Sequence, residues 1–227
     1  MLINENERIE DLGDGFKIIQ DKTKFCYGTD AVVLSEFIAA KPGEKIMDLC
    51  SGTGIIPILL SKNTKCTDFT ALEIQKEMCD LISRSVSLNS LEDKIKVICG
   101  DLKDVKKNFA SGEFDVVSVN PPYMRVNTGK INPDISVQIA RHEIMCNLED
   151  VISSSSFLLK SGGRLYMVHR AERMADVFVL MRKYRIEPKK LTLISANPES
   201  VPSLILVEGQ KDRKSGLIVT SPRYVNL

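Results

Sequence analysis

Nothing in this sequence provides the paired Cys or His spacing of a zinc site. Its six cysteines (Cys26, Cys50, Cys66, Cys79, Cys99 and Cys146) include no Cys-x-x-Cys, and there are only two histidines. A disulfide framework would need tighter clustering, so reduced thiols packing as small apolar groups are expected, and no metal. No apolar run approaches the roughly 20 residues that carry a helix across a bilayer. The opening stretch, "MLINENERIEDLGDG", is polar and acidic, unlike a signal or transit peptide. Repeats and low-complexity tracts are absent as well. These absences exclude helical membrane spans, metal frameworks and repeat architectures, and the expectation is a cytoplasmic globular protein.

What is present fits one ordinary domain. The chain has 227 residues, 43% hydrophobic and 27% charged, as in soluble α/β proteins. The net charge of +1 is unevenly spread: residues 160–227 hold 13 Lys+Arg against 6 Asp+Glu, whereas residues 1–159 hold 18 against 24. A basic C-terminal third suggests a polyanionic partner, with "RKYR" (182–185), "PKK" (188–190, containing Lys189 and Lys190) and "KDRK" (211–214) as candidate phosphate contacts.

The first thirty residues read as a β-hairpin turning at Asp14-Gly15. "GTDAVVLSEFIAA" (28–40) reads as an amphipathic helix capped by Thr29 or Asp30. Strand and helix signals then alternate. Strands are expected at 45–49, 66–74, 94–100 and 113–120, and helices at 54–62, 75–89 and 101–109. A polar loop at 124–134, expected to be mobile, precedes helices at 135–146 and 148–159, the second capped by Asn147. A turn and strand at 161–169, a helix at 170–184, and two strand-like runs with no helix between them complete the chain. Alternation implies a doubly wound, mostly parallel sheet covered on both faces, and the last two runs imply an antiparallel C-terminal edge hairpin. The expected organisation is a hairpin extension over 1–30 and one domain over 31–227.

"MDLCSGTG" (47–54) is a strand, an acid, a glycine-containing loop and a helix start. Glycines let backbone approach a ligand, and the helix N-terminus offers unpaired N–H groups. Pro57 occupies the place of the third glycine of the dinucleotide fingerprint, and no Lys-Ser/Thr follows to make a P-loop. Glu73 ends the next strand, where an acid can accept from ribose hydroxyls. Asp101 ends the third and could accept from an adenine amino group. Each acid alone would be an ordinary helix cap. Three acids, Asp48, Glu73 and Asp101, each ending one of three successive strands, point to a nucleoside-type ligand at the carboxyl edge of the sheet.

These residues resemble the class I S-adenosylmethionine-dependent methyltransferases, a Rossmann-like fold, over about residues 25–210. The resemblance implies S-adenosyl-L-methionine as cofactor, held by Tyr27, Thr29, Asp48, Cys50, Gly52, Gly54, Glu73, Ile74, Asp101, Leu102 and Asn120. Cys50 departs from it, since the family usually has glycine there. "NPPY" (Asn120, Pro121, Pro122, Tyr123) is similar to the amino-methyltransferase signature, which implies a planar amino group as target. In that reading the Asn120 side-chain oxygen and the Pro121 carbonyl accept the two N–H groups, and Tyr123 stacks on the base. "FCYGTDAVVLSEF" (25–37), "LEIQ" (72–75) and "IARHE" (139–143) resemble the bacterial adenine-N6 methyltransferases of the tRNA-valine anticodon loop. The implied partner is tRNA, with Arg141 and His142 facing it alongside Tyr123, Lys189 and Lys190, and a monomeric enzyme. His169, ending an apolar strand, reads as structural.

Two other readings share these motifs. Release-factor glutamine methyltransferases also carry NPPY, but generally have a helical domain before the first motif, and only 47 residues precede Asp48 here. Methylation of guanine-N2 in ribosomal RNA is a further base chemistry. A non-catalytic cofactor- or RNA-binding module would be expected to have lost NPPY or the ribose acid, and both are intact.

Overall fold

The structure, a computed structural model, describes residues 3–122 and 146–225. The loop expected at 124–134, most of the helix expected at 135–146, and Tyr123, Arg141 and His142 lie outside the described residues.

Strands β1 (Glu7–Gly13) and β2 (Phe16–Asp21) pair antiparallel. Asp14 and Gly15 both take positive φ, 55° and 83°, the two-residue turn that matches the twist of a hairpin. The hairpin docks on α3 (Lys76–Leu88): the Ile19 N–H donates to Ser85 Oγ, and Arg84 grips Glu7 with two bonds of 2.6 and 2.7 Å. The Arg84 guanidinium holds the Glu7 carboxyl down at about 2. Gln20, buried on β2, accepts from the Tyr27 N–H, so the hairpin also sets the chain leading into α1 (Thr29–Phe37).

The main sheet contains β3 (Lys45–Leu49), β4 (Asp68–Glu73), β5 (Ile95–Cys99), β6 (Phe114–Val119), β7 (Leu159–Arg170), β8 (Ile186–Ser195), β9 (Leu204–Lys211) and β10 (Ile218–Val219), in the order β10-β8-β9-β7-β6-β3-β4-β5. β11 (Arg223–Tyr224) also pairs with β8. Strands β3 to β7 pair parallel, while β9 runs antiparallel to both β7 and β8. The order reverses at β3, between β4 and β6, where ligands gather in sheets of this kind.

Period-two alternation divides the core. Ile46, Val116, Tyr166 and Val168 pack with Leu34, Phe37, Ile58 and Ile82 of α1, α2 (Ile55–Asn63) and α3. Met47, Val117, Leu165 and Met167 face the opposite layer, with Val105 of α4 (Val105–Asn108), Val151 of α5 (Leu148–Leu158) and Val177 of α6 (Met174–Lys183). Asn147 caps α5 in a reciprocal capping box with Asp150.

Two local expectations are corrected. The N-cap of α1 is Gly28, with no side-chain cap bond; Thr29 and Asp30 lie inside the helix, and the Asp30 carboxylate is engaged elsewhere. The turn expected at 161–163 is an irregularity within β7: Leu159 pairs with Phe114 and Arg164 with Val116, and Gly162 takes φ 82°. Beyond the expected hairpin, β10 and β11 extend the edge; two residues are too few to show a period.

Candidate active site

Parallel pairing brings the ends of β3, β4, β5 and β6 to one edge. The loop after β3 is folded by alternating left-handed residues: Cys50 at φ 54°, Gly52 at 57° and Gly54 at 78°. Gly54 caps α2, and a Cβ there would stand 2.8 Å from Ile82 Cγ2. Cys50 therefore adopts a conformation that glycine tolerates freely and a side chain does not. Cys50→Gly is expected to stabilise the fold by about 1 kcal/mol, raising Tm by about 2–4 °C for a chain of this size. Thermal denaturation measures it.

Asp48 is 1% exposed and lies beneath this loop. Its two oxygens accept from Ser51 Oγ and Ser118 Oγ, each at 2.6 Å. Burial pushes the Asp48 carboxyl up to about 7 against the pull of both hydroxyls. A folded-state value above the unfolded one means that the folded chain retains a proton the unfolded chain releases. Stability from this group is complete below about pH 4 and is lost as pH rises through about 7, roughly 4 kcal/mol in all. Urea denaturation should show Asp48→Asn gaining stability over wild type between pH 5 and pH 8; a constant difference would contradict the shift.

Glu73 is buried and ties the loop to the end of β4: Oε2 accepts from the Gly52 N–H at 2.9 Å, and Oε1 from the Ile74 and Gln75 N–H groups, both at 3.0 Å. With one donor on Oε2, the carboxylate keeps acceptor capacity for a hydroxyl. Asp101 caps a 3-10 turn (Leu102–Asp104) through the Lys103 N–H, and its other oxygen lies 3.4 Å from Lys103 Nζ. The two acids flank an open cleft lined by Cys50, Ile74, Asp101, Leu102, Pro122 and Cys146 among others.

This cleft suits S-adenosyl-L-methionine: a carboxylate for ribose, apolar walls from Ile74, Leu102 and Pro122 for a flat base, and an acid at the far side. Within the glycine loop Thr53 Oγ1 is buried and has no hydrogen-bond partner among the described residues, a polar atom that a ligand could satisfy.

Asn120 follows β6 directly. Val119 pairs with Leu49, so Asn120 and Cys50 leave the sheet side by side. Asn120 Nδ2 donates to Asp30 Oδ2 at 3.1 Å, a link between residues 90 apart in sequence. Pro121 is buried, and Pro122 reaches the cleft.

The other expected residues are dispersed. Burial and the Glu10 carboxylate of the hairpin push the Tyr27 hydroxyl up to about 12. Thr29 is exposed at the start of α1. Lys190 shares a register row with Asp48 through Glu208, Tyr166 and Ser118; four strand spacings separate them, roughly 19 Å. Its ammonium lies 5.0 Å from the Phe37 ring centroid, and Lys189 donates to the Lys214 carbonyl. Neither lysine is brought to the cleft. His169 is buried, with Nδ1 accepting from the Arg170 N–H, and burial lowers it to about 4, which fits a neutral ring in the core. Ser51, Ser118 and Asp30 were not recognised as site residues in the sequence; their partners are set by the fold.

The family model for the methyltransferase small domain matches residues 22–185. Curated relatives include the tRNA1(Val) (adenine(37)-N6)-methyltransferases of Tolumonas auensis, 27% identical over 93% of this chain and 92% of the relative, and of Porphyromonas gingivalis, 27% identical over 85% and 77%. Among solved structures, an Agrobacterium tumefaciens protein described as a predicted O-methyltransferase superposes with a TM-score of 0.70 at 22% identity, covering 86% of each chain. A geranyl diphosphate methyltransferase in complex with S-adenosylmethionine superposes at 0.57 and 13% identity, covering 81% of this chain and 84% of that one. With the reversal at β3, the three strand-end acids and the Asn-Pro-Pro exit of β6 in place, the chain belongs to the methyltransferase small domain family, and S-adenosyl-L-methionine is its cofactor.

Proposed function

We propose that the protein methylates the N6 amino group of an adenine in RNA, and that the RNA is tRNA-valine at the adenine beside the anticodon. The observation that carries this reading is Asn120, placed at the exit of β6 beside the nucleoside cleft with its amide nitrogen committed to Asp30. The curated relatives named for this tRNA support the substrate.

An adenine amino group is a poor nucleophile because its lone pair is delocalised into the ring. To accept a methyl group the nitrogen must pyramidalise and become positive. Two acceptors on its N–H groups, the Asn120 side-chain oxygen and the Pro121 carbonyl, favour that change. Both prolines fix φ, so these acceptors are in position before the base arrives. Tyr123 would stack on the base, an interaction worth about 1–3 kcal/mol. When bound, S-adenosyl-L-methionine supplies a methyl group activated by positive charge on sulfur. Glu73, Asp101 and the apolar walls hold and orient the nucleoside end, and alignment supplies much of the rate. An anticodon-loop adenine is already single-stranded, so presenting it costs less than flipping a base from a duplex. The described residues include no group of three or more acidic, His or Cys side chains placed to hold a metal, and the chemistry requires none.

The test is transfer of labelled methyl from S-adenosyl-L-methionine to a tRNA-valine transcript and to the same transcript with guanosine replacing the adenine beside the anticodon. Label in the first alone is expected. Equal label in both would reject the position, and label in neither would reject tRNA-valine.

A further inference from the structure

We propose that Asp30 is a positioning residue that sets which end of the Asn120 amide faces the target nitrogen. The proposal rests on the reading of Asn120 as the acceptor for the target amino group. An amide has one accepting and one donating end, and the two are nearly isosteric. If Asn120 turned its NH2 toward the target, donor would meet donor, and the developing positive charge would be opposed instead of stabilised.

A carboxylate accepts and does not donate, so Asp30 Oδ2 can be faced only by Asn120 Nδ2, at 3.1 Å. The oxygen of the planar amide is thereby turned away from Asp30. The carboxylate is itself held. Its Oδ1 accepts from the Ala31 N–H at 2.9 Å, and Gly28 leaves room for it, since a Cβ on Gly28 would stand 2.8 Å from Oδ1. The start of α1, itself placed by the hairpin through Gln20 and Tyr27, thus orients an acceptor at the end of β6.

Asp30→Asn is the informative variant because it preserves shape. The substituted amide keeps its oxygen on the Ala31 N–H and turns its NH2 to Asn120, whose own oxygen then swings round to meet it. The acceptor offered to the target is replaced by a donor. Expected results are a fall in kcat on the order of 10²-fold, and S-adenosylhomocysteine affinity within twofold of wild type. Sinefungin, which carries an ammonium group where the methyl would be, should bind about tenfold more weakly. In an Asn120→Ala background, Asp30→Asn should change kcat and sinefungin affinity less than twofold, since a residue acting through Asn120 has nothing left to orient.

Equal effects of Asp30→Asn in both backgrounds, or parallel losses of S-adenosylhomocysteine and sinefungin binding, would overturn the proposal and make Asp30 a structural residue. The sinefungin to S-adenosylhomocysteine ratio needs no RNA, so it reads Asp30 even if the RNA assigned as substrate is wrong.

Discussion

Asn120→Ala is expected to lower turnover on the order of 10³-fold, the upper range for removing a group that stabilises transition-state charge. Cofactor affinity should stay within about threefold. The separation follows from geometry. Glu73, Ile74, Asp101 and Leu102 of the cleft lie at and just beyond the ends of β4 and β5, and Glu73 and Asp101 are held by Gly52, Ile74, Gln75 and Lys103. Asn120 is partly exposed, and removal of the bond from its amide to Asp30 costs about 1 kcal/mol. Single-turnover kinetics with calorimetry of S-adenosylhomocysteine measures both. Equal loss of turnover and cofactor binding would make Asn120 a structural element of the cleft.

Gly54→Ala should have the largest effect on the fold. At φ 78° an alanine costs about 1–2 kcal/mol. Its Cβ would also meet Ile82 Cγ2 at 2.8 Å, and Ile82 is fully buried, adding about 1–3 kcal/mol. Together these terms lower Tm by about 4–20 °C. Gly52→Ala is the control: its Cβ would meet the Phe25 ring at 3.6 Å and the Cys50 carbonyl at 3.9 Å, ordinary contact distances. Gly52 therefore carries the backbone penalty without the clash, and its variant should lose less than half as much. If both variants melt together, crowding against α3 does not shape the loop.

Much of the site was legible because parallel strands joined by helices place every strand end on one edge. Once "KIMDL", "CTDFTALEI" and "KIKVICG" are read as successive strands, Asp48, Glu73 and Asp101 must converge. The Asp14-Gly15 turn and the reversed β9 were readable for similar local reasons: turn chemistry in one case, two strand patterns without a helix in the other. The failures are contacts between distant segments. Asp30 has the composition of a helix cap, and only the fold brings it to Asn120 across 90 residues. Ser118 reads as an ordinary inward residue of β6, yet it holds Asp48 across the strand pair. The basic runs of the C-terminal third suggested one phosphate surface. Sheet register instead separates Lys190 from Asp48 by four strand spacings, and places its ammonium over the Phe37 ring.

The Cys50 departure also has a physical form. The loop needs a left-handed residue there, and a thiol takes the position at some cost in backbone energy. The neighbouring Cys146 thiol and burial push Cys50 up, so it keeps its proton and remains a neutral wall of the cleft.

The central claim is that this site methylates an adenine amino group in RNA. The most direct measurement is transfer of labelled methyl from S-adenosyl-L-methionine into total bacterial tRNA, ribosomal RNA and release factor in parallel, followed by nucleoside and amino-acid analysis. The account predicts N6-methyladenosine in tRNA, lost in Asn120→Ala. Label in release factor as methylglutamine, or in ribosomal RNA as N2-methylguanosine, with none in tRNA, would contradict it.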